Sequence, residues 1–198
     1  MRVGAGRSRL GLLGKGLSGL AIILFLTGTA LVIVHEQRAA ASSMQPPPVS
    51  QGSMLGKSGL PLPRFVSLKA GRVNVRVGPG EDYKVSWVFT KATHPVEVIA
   101  EFDTWRRVRD SDGEVGWVFH SLLSSKRTAV VTPWSPGEPR PIHASAAGDA
   151  PVTAYLEPGV TATVDRCRDG WCALSGAGFS GWISQDQLWG VYPDEEVD

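Results

Sequence analysis

The sequence predicts an all-β protein built from two small domains of one kind, on three observations. Val96–Leu123 and Val160–Leu188 carry the same features in the same order: a β-rich run, a turn ending in a tryptophan, a second short run, a Gly-containing turn, a Gly-Trp dipeptide and a closing leucine. The internal spacing is nearly constant, since Trp105 and Trp117 stand 12 positions apart and Trp171 and Trp182 stand 11 apart. Short β-rich runs joined by Gly-containing turns describe a three-stranded antiparallel meander. Met twice, the pattern describes a duplicated domain.

Length and charge fit that reading. The 198 residues leave room for two domains of roughly 55–70 residues, small enough to lie near the stability limit. Seven tryptophans enlarge the core such domains can build. The formal charge of +1 hides an asymmetry: residues 1–41 hold five of the twenty basic groups and one of the nineteen acidic ones, leaving fifteen against eighteen. A mildly acidic globular part lacks the basic field that nucleic acid requires.

Arg2, Arg7, Arg9 and Lys15 precede an uncharged apolar run from Leu17 to Val34, the pattern of an export signal. Ala39-Ala40-Ala41 before Ser42 fits a cleavage site, whereas the 18-residue run also approaches the length of a single-pass anchor. Cleavage is the favoured reading, with an inner-membrane anchor over residues 17–34 as the alternative. The positive-inside rule puts the remainder in the periplasm or otherwise outside the cytoplasm in both cases. Residues 42–63, with Pro46-Pro47-Pro48 and Pro61-Leu62-Pro63, read as a solvated linker.

The first domain is expected over residues 64–132. Phe65–Leu68 is a short strand, and Val73–Val77 alternates valine with polar residues as a half-buried strand does. Gly78-Pro79-Gly80 ends it, proline lacking a donor and glycine permitting positive φ. Asp110, Asp112 and Glu114 cluster at a hairpin, where Asp is a turn former. Thr128–Thr132 reads as the last strand, residues 133–139 as a proline-rich linker, residues 140–190 as the second domain and residues 191–198 as a loose acidic tail.

Cys167 and Cys172 enclose Arg168-Asp169-Gly170-Trp171. Asp-Gly signals a two-residue type I′ hairpin, which makes Arg168 and Trp171 one cross-strand pair and the two cysteines the next. Non-hydrogen-bonded partners sit with Cα atoms about 4.5 Å apart, within disulfide range. Export supplies the oxidising compartment. Zinc would need further ligands at a spacing that nothing nearby offers, so neither metal nor cofactor is expected.

The order Val73-Asn74-Val75-Arg76-Val77-Gly78-Pro79-Gly80, then Asp82-Tyr83, a Val-rich strand, a Trp and Gly116-Trp117-Val118, resembles the bacterial SH3-like domain family over about residues 65–131. Asn74, Arg76, Gly78 and Pro79 carry the motif. The second copy lacks these elements but keeps Tyr155-Leu156, Pro158-Gly159 and the Gly-Trp dipeptide. The resemblance implies two tandem barrels, each of five to seven strands in two orthogonal sheets. By the same analogy, Tyr83, Trp87, Trp105 and Trp117 surround one ligand groove.

In the second copy Ile183 points to the core, which turns Trp182 outward between Ser180 and Ser184, either to cover a barrel rim or to line a groove. Such domains often accompany cell-wall peptidases with a Cys-His pair, but here both cysteines are committed to each other and no catalytic constellation stands out. The expected activity is therefore non-enzymatic binding in the cell envelope, to peptidoglycan or to a wall-associated peptide or protein. A protein-interaction role for the Pro133–Pro136 and Pro136–Pro139 spacings is the alternative, with a cell-wall hydrolase a third.

Overall fold

A computed structural model describes residues 54–198, so the expected signal or anchor and the linker up to residue 53 lie outside the described residues. Strand β1 (Met54–Leu55) and β2 (Pro61–Leu62) form a small antiparallel hairpin. This corrects the expectation of linker through residue 63. The hairpin is fixed by Glu101, whose carboxylate accepts from the Ser58 N–H at 2.8 Å and the Ser58 hydroxyl at 2.7 Å. Arg64 pairs with the same carboxylate at 2.7 Å and Arg106 at 3.3 Å. These partners come from three separate stretches of chain, which composition does not reveal.

The first domain contains β3 (Arg64–Leu68), β4 (Val73–Arg76), β5 (Val85–Phe89), β6 (Pro95–Phe102), β7 (Trp105–Arg109), β8 (Val115–Phe119) and β9 (Leu123–Ser124). They pair in the order β5-β4-β8-β7-β6-β3-β9. The second contains β10 (Thr128–Val131), β11 (Arg140–His143), β12 (Val152–Leu156), β13 (Thr161–Arg168), β14 (Trp171–Gly176), β15 (Phe179–Ser184) and β16 (Leu188–Trp189). Their order, β12-β11-β15-β14-β13-β10-β16, is the first one shifted by seven strands. Bulges recur at matching places, at Val75/Arg76 and Ile142/His143 and at Val98/Ala100 and Val164/Arg166. A bulge bends its strand and sharpens the local twist. By hydrogen bonding, the seven strands of each domain form one continuous sheet, curved at these bulges.

Thr128–Val131 does not close the first sheet. It opens the second, pairing with β13 and β16. All four of its residues are buried, so no alternation tells which sheet it faces. The domains therefore meet at residues 125–127, and residues 133–139 form the loop between β10 and β11, inside the second domain.

Each sheet wraps its own core. Leu68, Val73, Val75, Val96, Val98, Val108 and Val118 fill the first, flanked by Trp87 and Phe89. Val131, Ile142, Val164, Leu174, Ile183, Leu188 and the two cysteines fill the second. Each fully buried aliphatic side chain contributes about 1.5–3 kcal/mol relative to exposure.

The tail is docked, not loose. Val191 and Val197 belong to the second core, and Val197 exchanges both backbone hydrogen bonds with Cys167, at 2.8 and 3.1 Å. Arg127 pairs with Glu195 at 2.8 Å, while the Gln185 amide donates to the carbonyls of Tyr192 at 2.8 Å and Glu195 at 2.9 Å. An acidic composition suggested solvation, but two valines and one arginine partner decide otherwise.

The tail also reaches the first domain. Phe65 packs edge-on against Trp189 with centroids 5.1 Å apart and lies 4.7 Å from the Tyr192 ring. The Thr128 hydroxyl donates to the Thr93 carbonyl, and the Ser67 hydroxyl to that of Lys126, both at 2.7 Å.

Candidate ligand-binding site

Strand alternation sorts the first sheet into two faces. On β8, Gly116 and Val118 are buried, while Val115, Trp117 and Phe119 turn to the other side and remain half-exposed. Cross-strand register then lays out two rows on that outer face. Phe102 opposes Trp105, Trp105 opposes Phe119, and Asn74 opposes Val88. Beside them, Ala100 opposes Arg107, Arg107 opposes Trp117, Trp117 opposes Arg76, and Arg76 opposes Val85.

A shallow cleft of about 190 Å³ opens on these rows, lined by Asn74, Arg76, Glu81, Trp105, Phe119 and Leu122. Trp105 and Phe119 meet edge to face, with centroids 5.6 Å apart, an arrangement aromatic pairs favour. The cleft thus joins an apolar aromatic wall to a guanidinium, a carboxylate and an amide. Such a set can hold a flat ligand and pair its polar edge.

The motif residues hold the adjoining turn, residues 78–83, in place. The Arg76 guanidinium donates to the Tyr83 carbonyl at 2.6 Å. The Tyr83 ring lies so close to the Gly78-Pro79-Gly80 turn that a Cβ on Gly78 would fall 2.3 Å from it, and one on Gly80 3.2 Å. Neither glycine adopts positive φ. Their requirement is close approach, not the left-handed backbone that the sequence suggested.

Of the five aromatic candidates, Trp105 lines the cleft and Trp117 stands in the adjoining row. Tyr83 is half-exposed at the turn. Trp87 opposes the fully buried Val75 and packs against the core and Phe89 at 6.1 Å, on the inner side. Four aromatics therefore do not surround one groove. Phe119, Leu122 and Glu81 were missed. Alternation along Val115–Phe119 places Phe119 beside Trp117, and that was the available signal.

Trp182 is the second-domain counterpart of Trp117, opposing His143 as Trp117 opposes Arg76. It faces away from the core that holds Ile183, and the Arg168 guanidinium lies 5.6 Å from its ring centre. Trp171 opposes Ser184 where Trp105 opposes Phe119. By the same offset, Gln187 stands in Leu122's place, so the apolar wall is not repeated. His143 instead packs edge-on against Trp171 at 5.6 Å, with Nδ1 2.9 Å from the Ala150 carbonyl.

Cys167 and Cys172 form a disulfide across the expected register, with Cα atoms 4.1 Å apart. Asp169 and Gly170 both have positive φ, 51° and 74°, as a type I′ turn requires. Both cysteines of the chain are thus engaged. Asp110 is a turn former as expected, its Oδ1 accepting from the N–H groups of Asp112 at 3.0 Å and Glu114 at 2.9 Å. The described residues contain no group of three or more His, Cys, Asp or Glu placed to hold a metal.

A repeated, bulge-curved seven-stranded sheet describes a tandem of two small all-β domains of one kind. Residues 69–125 and 137–190 each match the family model of the bacterial SH3 domain, and the chain belongs to that family. No curated protein matches it. Among solved structures it is similar to NlpC2 from Trichomonas vaginalis, at 14% identity and a TM-score of 0.29 over 64% of this chain and 48% of that one. It is also similar to NlpC1 from the same organism, at 14% identity and a TM-score of 0.28 over 64% of this chain and 45% of that one. The chain spans about half the length of these structures, and likenesses this weak carry no argument. The disulfide and the family together fit a location outside the cytoplasm.

Proposed function

We propose that the protein is a non-enzymatic binding module of the bacterial cell envelope, recognising peptidoglycan or a wall-associated peptide through the outer face of its first domain. The observation that carries this reading is the cleft in which Trp105 and Phe119 meet Arg76, Asn74 and Glu81. A rigid aromatic wall stacks on a sugar face or an apolar side chain, and a guanidinium beside it pairs with a carboxylate. Both cysteines being engaged supports binding over thiol chemistry. Residues 17–34 deliver the chain to the periplasm or another extracytoplasmic space, as a removed signal or a retained anchor, and are a membrane contact only if retained. The test is sedimentation of the protein with purified sacculi, with Arg76→Ala weakening recovery and thermal unfolding confirming that the variant stays folded. Equal recovery of the two proteins, or none of either, rejects the reading.

A further inference from the structure

We propose that the β1–β2 hairpin is a lipid-surface contact, which seats the first domain on the membrane that holds residues 17–34. The proposal rests on the retained-anchor form of those residues and does not depend on the cleft. It is carried by where the exposed apolar side chains lie.

Met54, Leu55 and Leu60 are 78%, 71% and 50% exposed, and Phe102 is 53% exposed. Single exposed apolar residues need no explanation, whereas a contiguous group marks a contact surface. These four fall together on the hairpin and the strand end beside it. Leu55 opposes Pro61, the Gly56 N–H donates to the Leu60 carbonyl at 2.8 Å, and the Lys57 ammonium lies 5.9 Å from the centre of the Phe102 ring. The two Ser58 hydrogen bonds to Glu101 tie the hairpin to β6, so a surface that takes the hairpin holds the first sheet with it.

Charge and tether select lipid as the occupant. Residues 54–62 carry one charged side chain, Lys57, and no carboxylate. Glu101 beneath them is buried and paired with both Arg64 and Arg106. Asp103, next to Phe102, is exposed, and Lys57 offsets it. A lysine among apolar side chains suits a bilayer boundary, where its stem lies along the acyl region and its ammonium reaches the headgroup phosphates. Nineteen residues separate Val34 from Met54, and at no more than about 3.6 Å each they keep the hairpin within about 70 Å of the bilayer. The contact is then intramolecular, so a patch too small to hold a free protein on a membrane is enough.

The test uses the full chain in vesicles of phosphatidylethanolamine and phosphatidylglycerol, with Leu60→Cys carrying an environment-sensitive fluorophore. Cys167 and Cys172 are bonded to each other, so the added thiol is labelled alone. Lipid with a nitroxide near the top of its acyl chain should quench this label. Quenching should fall about threefold when Met54→Asp and Leu55→Asp are added, because charge opposes insertion at the apolar boundary. Lys57→Glu should lower it about twofold, through repulsion from the anionic lipid. Unchanged exchange of the Ser58 amide verifies that the hairpin stays formed in each variant. Equal quenching in the parent and the variants, or none in any, overturns the contact. A label shielded from aqueous iodide but out of reach of the nitroxide lipid means that another segment or a second copy covers the patch, and overturns it too. Protein isolated from bacterial membranes should keep residues 17–34. Recovery only of a chain starting at Ser42 removes the anchor and the contact with it, whereas an anchored chain without quenching loses the contact alone.

Discussion

The phenol of Tyr192 donates a 2.9 Å hydrogen bond to the carboxylate of Glu97, 95 positions earlier in the chain. Glu97 is 2% exposed and is held from its other side by Arg109, through Nε at 2.8 Å. Burial raises the Tyr192 pKa well above the ordinary tyrosine range, and the neighbouring Glu97 charge raises it further. The phenol therefore stays protonated and keeps donating. One residue of the C-terminal tail thus joins the two domains through a buried acid.

Tyr192→Phe should loosen this junction while leaving both sheets intact. Removing the hydroxyl deprives a buried carboxylate of one of its partners, a loss of about 1–3 kcal/mol. Phenylalanine keeps the ring contact with Phe65, so the hydroxyl alone is tested. Hydrogen exchange should speed up at Val96–Val98 and along the tail, and an unchanged exchange pattern would contradict the role.

The N-terminal hairpin should be acid-sensitive. Burial raises the Glu101 pKa, but the hydrogen bonds from Ser58 and Arg64 and the charge of Arg106 lower it more, to about 2. A depressed folded pKa means that the contribution is complete above the ordinary carboxylate value of 4.5 and is lost as pH falls toward 2. The Ser58 amide should therefore lose protection in that window before the first sheet melts. Glu101→Gln should show weak protection already at neutral pH. A pH-independent Ser58 amide would rule the mechanism out.

Reduction of the Cys167–Cys172 bond should cost the second domain about 2 kcal/mol, the value the chain-entropy model gives for so short a loop. The tail pairs with Cys167 through Val197, so its amides should respond with the β13–β14 hairpin. Denaturant unfolding with and without reductant checks the magnitude. Equal midpoints would contradict it.

The domain boundary predicts how fragments behave. Residues 54–126 contain every strand of the first sheet and should fold as an all-β unit. Extension to residue 132 adds a strand whose partners, β13 and β16, are missing. It should lower solubility without raising the melting temperature. A longer fragment that melts higher would return Thr128–Val131 to the first domain.

Local patterns were legible in the sequence. The Asp169-Gly170 turn fixed the cysteine register, and the alternation around Ile183 turned Trp182 outward as found. The duplicated meander was visible because turn chemistry recurs at constant spacing. What escaped depends on partners distant in sequence. Thr128–Val131 is buried on every side, so its ownership rests on pairing with β13 and β16. Glu101 gathers Ser58 and Arg64 from the expected linker, and Tyr192 finds Glu97 across the junction. Within the site, the family resemblance groups Trp87 with Trp105, whereas register puts Trp87 opposite Val75 on the inner side.

The most direct test fills the cleft. Asn74 is exposed, and its side chain makes no hydrogen bond among the described residues, so Asn74→Trp places an indole over Trp105 and Phe119 without disturbing the valine core. Sedimentation of the full chain with sacculi should fall severalfold in this variant while its melting temperature stays within a degree or two of the parent, since surface changes usually act within about 0.5 kcal/mol. Undiminished sedimentation of a folded Asn74→Trp protein would contradict the assignment of this cleft as the envelope-binding site.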